Sequence, residues 1–91
     1  MSILISIAQV RGLPMRAYIE IKIEPGSNIQ SVLSVMRSVE GVREAFAVTG
    51  HTDLIASIEA PDLKAIADLI TQRIHPIRGI VNTETMVCVE D

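Results

Sequence analysis

The sequence predicts an α+β domain of the ferredoxin-like, split β-α-β plan: a four-stranded antiparallel sheet with two helices on one face. Three observations predict it. Strand and helix periodicities alternate in the order β-α-β-β-α-β between residues 17 and 89. A corner at Gly50 joins the two halves, which makes the middle strands an antiparallel hairpin. The helical stripes number two, enough to cover one face of a sheet but not both.

The elements follow in chain order. Residues 1–15 read as an arm ahead of the domain proper, 16–91. In the arm Ile3, Ile5 and Ile7 alternate with Leu4, Ala8 and Val10, and Gly12 and Pro14 set it apart. An exposed strand of that kind is a liability, so pairing across an oligomer interface is expected, with a leader segment as the alternative. Ala17, Ile19, Ile21 and Ile23 then alternate with Tyr18, Glu20, Lys22 and Glu24, a half-buried strand stopped by Pro25-Gly26. Ser27 and Asn28 offer N-cap oxygens to a helix carrying Ile29, Val32, Leu33, Met36 and Val39, which Gly41 ends.

In the next strand, 42–48, alternation groups Val42 with Phe46 and Val48, opposite Ala45 and Ala47. After the Gly50 corner, 53–60 forms its hairpin partner. Pro61 is expected in the first turn of the second helix, whose buried stripe is Leu63, Ile66, Ala67, Ile70 and Ile74. His75-Pro76 breaks that helix, and Ile80–Val89 is the last strand. One of its faces carries Val81, Thr83, Thr85, Val87 and Val89, the other Ile80, Asn82, Glu84, Met86 and Cys88. Neither is plainly solvated, so a second sheet is expected against the face away from the helices, with Val87 in that contact.

Composition narrows the function. Of 91 residues 48% are hydrophobic, yet there is one Phe, one Tyr and no Trp, so the apolar mass is aliphatic. So short a chain cannot hide it all in one subunit, and a homo-oligomer follows. The net charge is −3, from 8 basic and 11 acidic residues, with no basic run. Direct nucleic-acid binding is therefore not expected. A lone cysteine, Cys88, suits a reducing cytoplasm and packs in a strand. The N-terminal apolar patch, interrupted by Ser2, Ser6 and Gln9 and without a basic lead, is neither a membrane span nor a signal peptide.

The stretch "TGHTDLIASIEA", 49–60, concentrates the polar chemistry. Gly50, His51, Thr52 and Asp53 crowd the corner ahead of an apolar strand. Two readings stand: an ordinary hairpin corner, with Gly at positive φ and Asp bonding nearby amides, or a small-molecule pocket. His51 and Asp53 share a face, but two ligands do not make a zinc site, and His75 is distant in sequence. No nucleophile–base spacing is present, so an enzyme is not expected and no cofactor is implied. Arg37 and Arg73 read as a solvated helical face.

"VEGVREAFAVTGHTDLIASIEAPDLKAIADLI" followed by "GIVNTETMVCVE" resembles the effector-binding (RAM) domain of the Lrp/AsnC family of transcriptional regulators. "VTGHTD" matches the family's V-x-G-x-x-D turn and "GIVNTET" its G-V-x-x-T-x-T lead into the last strand. The resemblance spans about residues 16–90. It implies sheet-to-sheet dimers, rings of dimers, and a free amino acid bound at the dimer–dimer contact. By position, Gly50 would let backbone approach the ligand, Asp53 would meet its ammonium, Thr83 and Thr85 would supply hydroxyls, and His51 and Thr52 would line the pocket. Two departures stand out. The fifteen residues before the domain cannot hold a helix-turn-helix reader, and Thr52 stands where many relatives have an aromatic. The expectation is a stand-alone amino-acid sensor, acting through partners such as full-length regulators. A small dimeric enzyme and a purely structural oligomerisation scaffold are the alternatives.

Overall fold

The computed structural model describes residues 14–89. Strand β1 (Met15–Ile23) leads to α1 (Ile29–Arg37), β2 (Val42–Ala47), β3 (Leu54–Ala60), α2 (Leu63–Leu69), a π-helical turn (Ile70–Ile74) and β4 (Ile80–Val87). The sheet is antiparallel, in the order β2-β3-β1-β4, so the two halves interlock and their first strands lie at the centre. This is the ferredoxin-like plan expected from the periodicities. The arm expected over residues 1–15 falls almost wholly outside the described residues, except that Met15 is buried and already belongs to β1.

The core is aliphatic and lies between sheet and helices. Ile19, Ile21, Leu54 and Ile58 from the central strands meet Met36 from α1 and Ile66 and Ile74 from the second helical segment, all fully buried. Each such side chain stabilises the fold by roughly 1.5–3 kcal/mol relative to exposure. Asn28 caps α1 by accepting from the Ser31 amide at 3.1 Å, and Asp62 caps α2 by accepting from the Ala65 amide at 2.8 Å. Pro61 therefore precedes the cap and lies outside the first turn.

Below Leu69 the second helix widens, and the His75 amide donates to the Ile70 carbonyl, five residues back, at 2.8 Å. The sequence pattern explains why. Ile66, Ile70 and Ile74 repeat every four residues, slightly more than the α-helical 3.6. A wider turn keeps all three on the sheet. Leu63 and Ala67, placed on the buried stripe by periodicity, are exposed.

Two β-bulges change which residues share a face. In β2, Val42 pairs with Ile58 but Glu44 pairs with Ser57, leaving Arg43 extra. Val42 and Ala45 therefore both pack toward the helices, and Phe46 turns to the open face, half exposed. Simple alternation had joined Val42 to Phe46. In β4, Ile23 pairs with Ile80 and Lys22 with Asn82, so Val81 is passed over.

The partner of Val87 is Ala17, which is fully buried, and Val87 packs against the core. Its expected place in an outer contact is thus corrected. The open face instead carries Tyr18, Phe46 and Met86, 40%, 50% and 48% exposed, with Ile55 between them. Tyr18 is paired with Met86, and Phe46 with Ile55. β4 ends at Val87, two residues short of the expected Val89.

Candidate functional site

The Gly50–Asp53 corner begins where β1 and β3 stop pairing. Their last paired residues are Ile21 and Leu54, which leaves the Ile23 amide without a β3 partner. Asp53 supplies one: its Oδ2 accepts from the Ile23 amide at 2.8 Å. The Asp53 amide donates to the Ile21 carbonyl at 3.0 Å, and Thr52 Oγ1 donates to that same oxygen, also at 3.0 Å. Across the corner the Val48 amide donates to the Asp53 carbonyl at 2.9 Å. The corner is therefore stapled to the end of β1 by its own polar side chains.

Its outer half is open. Gly50 has φ +132°, and a Cβ built there would meet nothing within 4 Å. An L-residue strains at that φ for conformational reasons alone, while the space beside it is available to another molecule. The His51 carbonyl accepts from Lys22 Nζ at 2.8 Å, and His51 Nε2 lies 3.5 Å from Glu20 Oε1 with its ring almost wholly in solvent. Lys22 and Glu20 belong to the open face of β1, so the corner adjoins that face.

Four of the six residues expected in a site thus gather at one place: Gly50, His51, Thr52 and Asp53. Thr83 and Thr85 lie on β4, with β1 between them and the start of β3. Two strand spacings make that separation about 10 Å. Thr83 pairs with Ile21, the residue whose carbonyl holds the corner, and so reaches the same end of the sheet from the other side. Thr85 pairs with Ile19, further along β1.

The Thr83 hydroxyl is 2.6 Å from His75 Nε2. Sequence reasoning had set His75 aside as remote. The helix break at His75-Pro76 was the available signal, but only the register of β4 shows what the histidine meets. Glu20 and Lys22 were read merely as the solvated side of a strand.

Asp53 spends Oδ2 on backbone, and Oδ1 accepts no hydrogen bond among the described residues. One carboxylate oxygen and the free space at Gly50 are what the corner can offer a cationic group. The groups with displaced pKa lie elsewhere. Hydrogen bonding to Glu59, and then its charge, raises Arg16; Asp68 raises Lys64 in the same two ways. Among the described residues no three His, Cys, Asp or Glu side chains group to hold a metal, and no helix is long and apolar enough to cross a membrane.

A four-stranded sheet, helices on one side and a stapled polar corner define a small ferredoxin-like domain with a polar site beside its open face. Comparison with known proteins names its family. Residues 16–91 match the Lrp/AsnC ligand binding domain, and the chain belongs to that family. It is 30% identical over 73 residues to an uncharacterized HTH-type transcriptional regulator of Pyrococcus horikoshii, covering 78% of this chain and 49% of that one. It is 24% identical over 80 residues to the regulatory protein AsnC of Escherichia coli K12, covering 88% and 53%. The chain thus spans about half the length of these relatives.

Among solved structures it resembles FFRP-DM1, with 30% identity, a TM-score of 0.76, and 81% of this chain and 97% of that one covered. The fold is also that of a Neisseria meningitidis transcriptional regulator solved as its L-Met complex, with 18% identity, a TM-score of 0.78, and 92% and 55% covered.

Proposed function

We propose that this chain is an amino-acid-sensing module that assembles through its open sheet face and binds a free α-amino acid beside Gly50–Asp53, at a contact between dimers. The observation that carries the reading is the corner itself, held to β1 by Asp53 and Thr52 yet open around Gly50. A zwitterion needs an acceptor for its ammonium and donors for its carboxylate. The second oxygen of Asp53 suits the first, and backbone amides of a neighbouring subunit suit the second. The L-Met complex of the Neisseria regulator supports an amino acid as the ligand class.

Assembly rests on separate observations. Tyr18 with Met86 and Phe46 with Ile55 make two apolar cross-strand pairs, at least partly exposed, on a face that the helices do not cover, with Glu20 and Glu84 beside them. Exposed apolar patches mark partner surfaces. A second copy is self-complementary there, because a two-fold contact places the same patch on both sides. The acidic balance of these residues suits an action on transcription through partner regulators rather than through their own contact with DNA.

Calorimetry of the full chain against the twenty amino acids tests the ligand, with light scattering in parallel for assembly. A saturable heat that Asp53→Asn weakens supports the sensor. Silence across the panel, with an intact oligomer, leaves the purely structural scaffold as the better reading.

A further inference from the structure

Arg37 and Arg73, one solvated face in the sequence reading, come from different helical segments and converge with Arg43 on a single open cleft. The cleft has a volume of about 810 Å³, within the range of small-molecule sites. It lies at the far end of the β2–β3 hairpin from Gly50–Asp53, where β2 begins and β3 ends. Val39, Val42 and Leu69, all at least partly buried, give it an apolar wall.

The charges lining it do not cancel. Glu59 already accepts from Arg16 Nε and Nη2 at 3.3 and 3.2 Å, and Arg43 Nε stands 3.9 Å from its other oxygen. Glu40, exposed at the α1–β2 turn, is the other carboxylate. Arg73 makes no ion pair among the described residues. A chain of net charge −3 thus keeps a local cationic surplus.

Irregular backbone brings two of these guanidiniums there. Arg43 is the extra residue of the β2 bulge, and a bulge re-aims the side chain it carries. Arg73 lies in the π-helical turn, where the widened ladder rotates following residues away from their α-helical direction. Arg37 is held: its Nε and Nη2 both donate to the Ala45 carbonyl, at 3.0 and 2.7 Å. That spends two of its five N–H donors and blunts the outer edge of β2.

We propose that this cleft is a second ligand site, for a small organic anion. Arg43 and Arg73 take its carboxylate or phosphate oxygens, Arg37 stands at the margin, and Val42 and Leu69 receive its apolar body. Guanidinium forks match both oxyanions in bidentate geometry. An α-amino acid fits less well than a simple anion, because its ammonium would add a positive charge to a cleft where three guanidiniums already outnumber Glu40 and Glu59. The site therefore stands apart from the amino-acid reading of the opposite end of the hairpin.

The test titrates the isotopically labelled full chain with benzoate in one arm and phenyl phosphate in the other, followed by NMR. Saturable shifts are expected at the Gly41 amide and the Leu69 methyls in at least one arm, and which arm responds tells carboxylate from phosphate. Arg43→Gln and Arg73→Gln should each weaken that affinity by about tenfold or more, a difference easily resolved in Kd. Both side chains are exposed, so the backbone spectrum should be otherwise unchanged. Lys64→Gln, a cation outside the cleft, should leave affinity within about twofold. No saturation in either arm overturns the proposal, and so does a Lys64→Gln loss equal to that of Arg73→Gln.

Discussion

Asp53→Ala removes the acceptor of the Ile23 amide at the one place where β1 has run out of β3 partners. The lost bond is short, 2.8 Å, accepted by a carboxylate, and only partly exposed. Leaving its donor unpaired should cost about 1–3 kcal/mol. For a domain of this size each kcal/mol moves Tm by roughly 4–8 °C. Asp53→Asn separates structure from charge, since the amide oxygen can still accept from Ile23. Urea and thermal unfolding at one fixed protein concentration should rank the parent first, Asp53→Asn close behind and Asp53→Ala well below. Fixed concentration matters because association adds to apparent stability. If ligand binding needs the negative charge, both variants lose affinity although only one loses stability. Equal stability of Asp53→Ala and the parent would refute the stapled corner, and equal loss in both variants would show that charge, not the hydrogen bond, stabilises the turn.

Met86→Asp, on the open face beside Tyr18, should lower the mass seen in light scattering while the monomer stays folded. Val87→Asp, its chain neighbour on the core side and partly buried, should instead lower the melting temperature in circular dichroism. It sets a charge against the apolar core and loses part of the roughly 1.5–3 kcal/mol of an apolar side chain. Gly41→Ala should destabilise more than Gly50→Ala in urea. Both residues have positive φ, worth roughly 1–2 kcal/mol for an L-residue, but at Gly41 the new Cβ also meets Leu69 Cδ2 at 3.0 Å and the Glu59 carbonyl at 3.3 Å. Equal losses at the two glycines would mean that Leu69 yields without cost.

The alternation of Ala17, Ile19, Ile21 and Ile23 was legible because a strand with one buried face must repeat every two residues. The stripe of Val32, Leu33 and Met36 was legible for the matching helical reason. Phe46 was assigned to the wrong neighbours because period-two counting assumes an unbroken ladder. Val87 was grouped correctly with Thr83 and Thr85, and only the side of the sheet that the helices cover was mistaken. The extra residue at Arg43 and the passed-over Val81 leave no local trace in a list of apolar positions. The polar corner was visible as a cluster, but its attachment was not. That Asp53 serves Ile23, and Thr52 serves the Ile21 carbonyl, depends on where β1 ends against β3, thirty residues apart in the chain.

By itself, then, the sequence determined the order and type of the elements, the split β-α-β plan, the aliphatic core and the polar crowding at Gly50–Asp53. Each is a property of neighbouring residues: periodicity, capping and turn chemistry act over a few positions of chain. Tertiary structure alone decided what required two distant segments to meet. It brought His75 to Thr83, turned Phe46 outward and Val87 inward, and gathered Arg37, Arg43 and Arg73 around one cleft. Register and bulges set those meetings, and a shift of one residue reverses the face of every side chain beyond it.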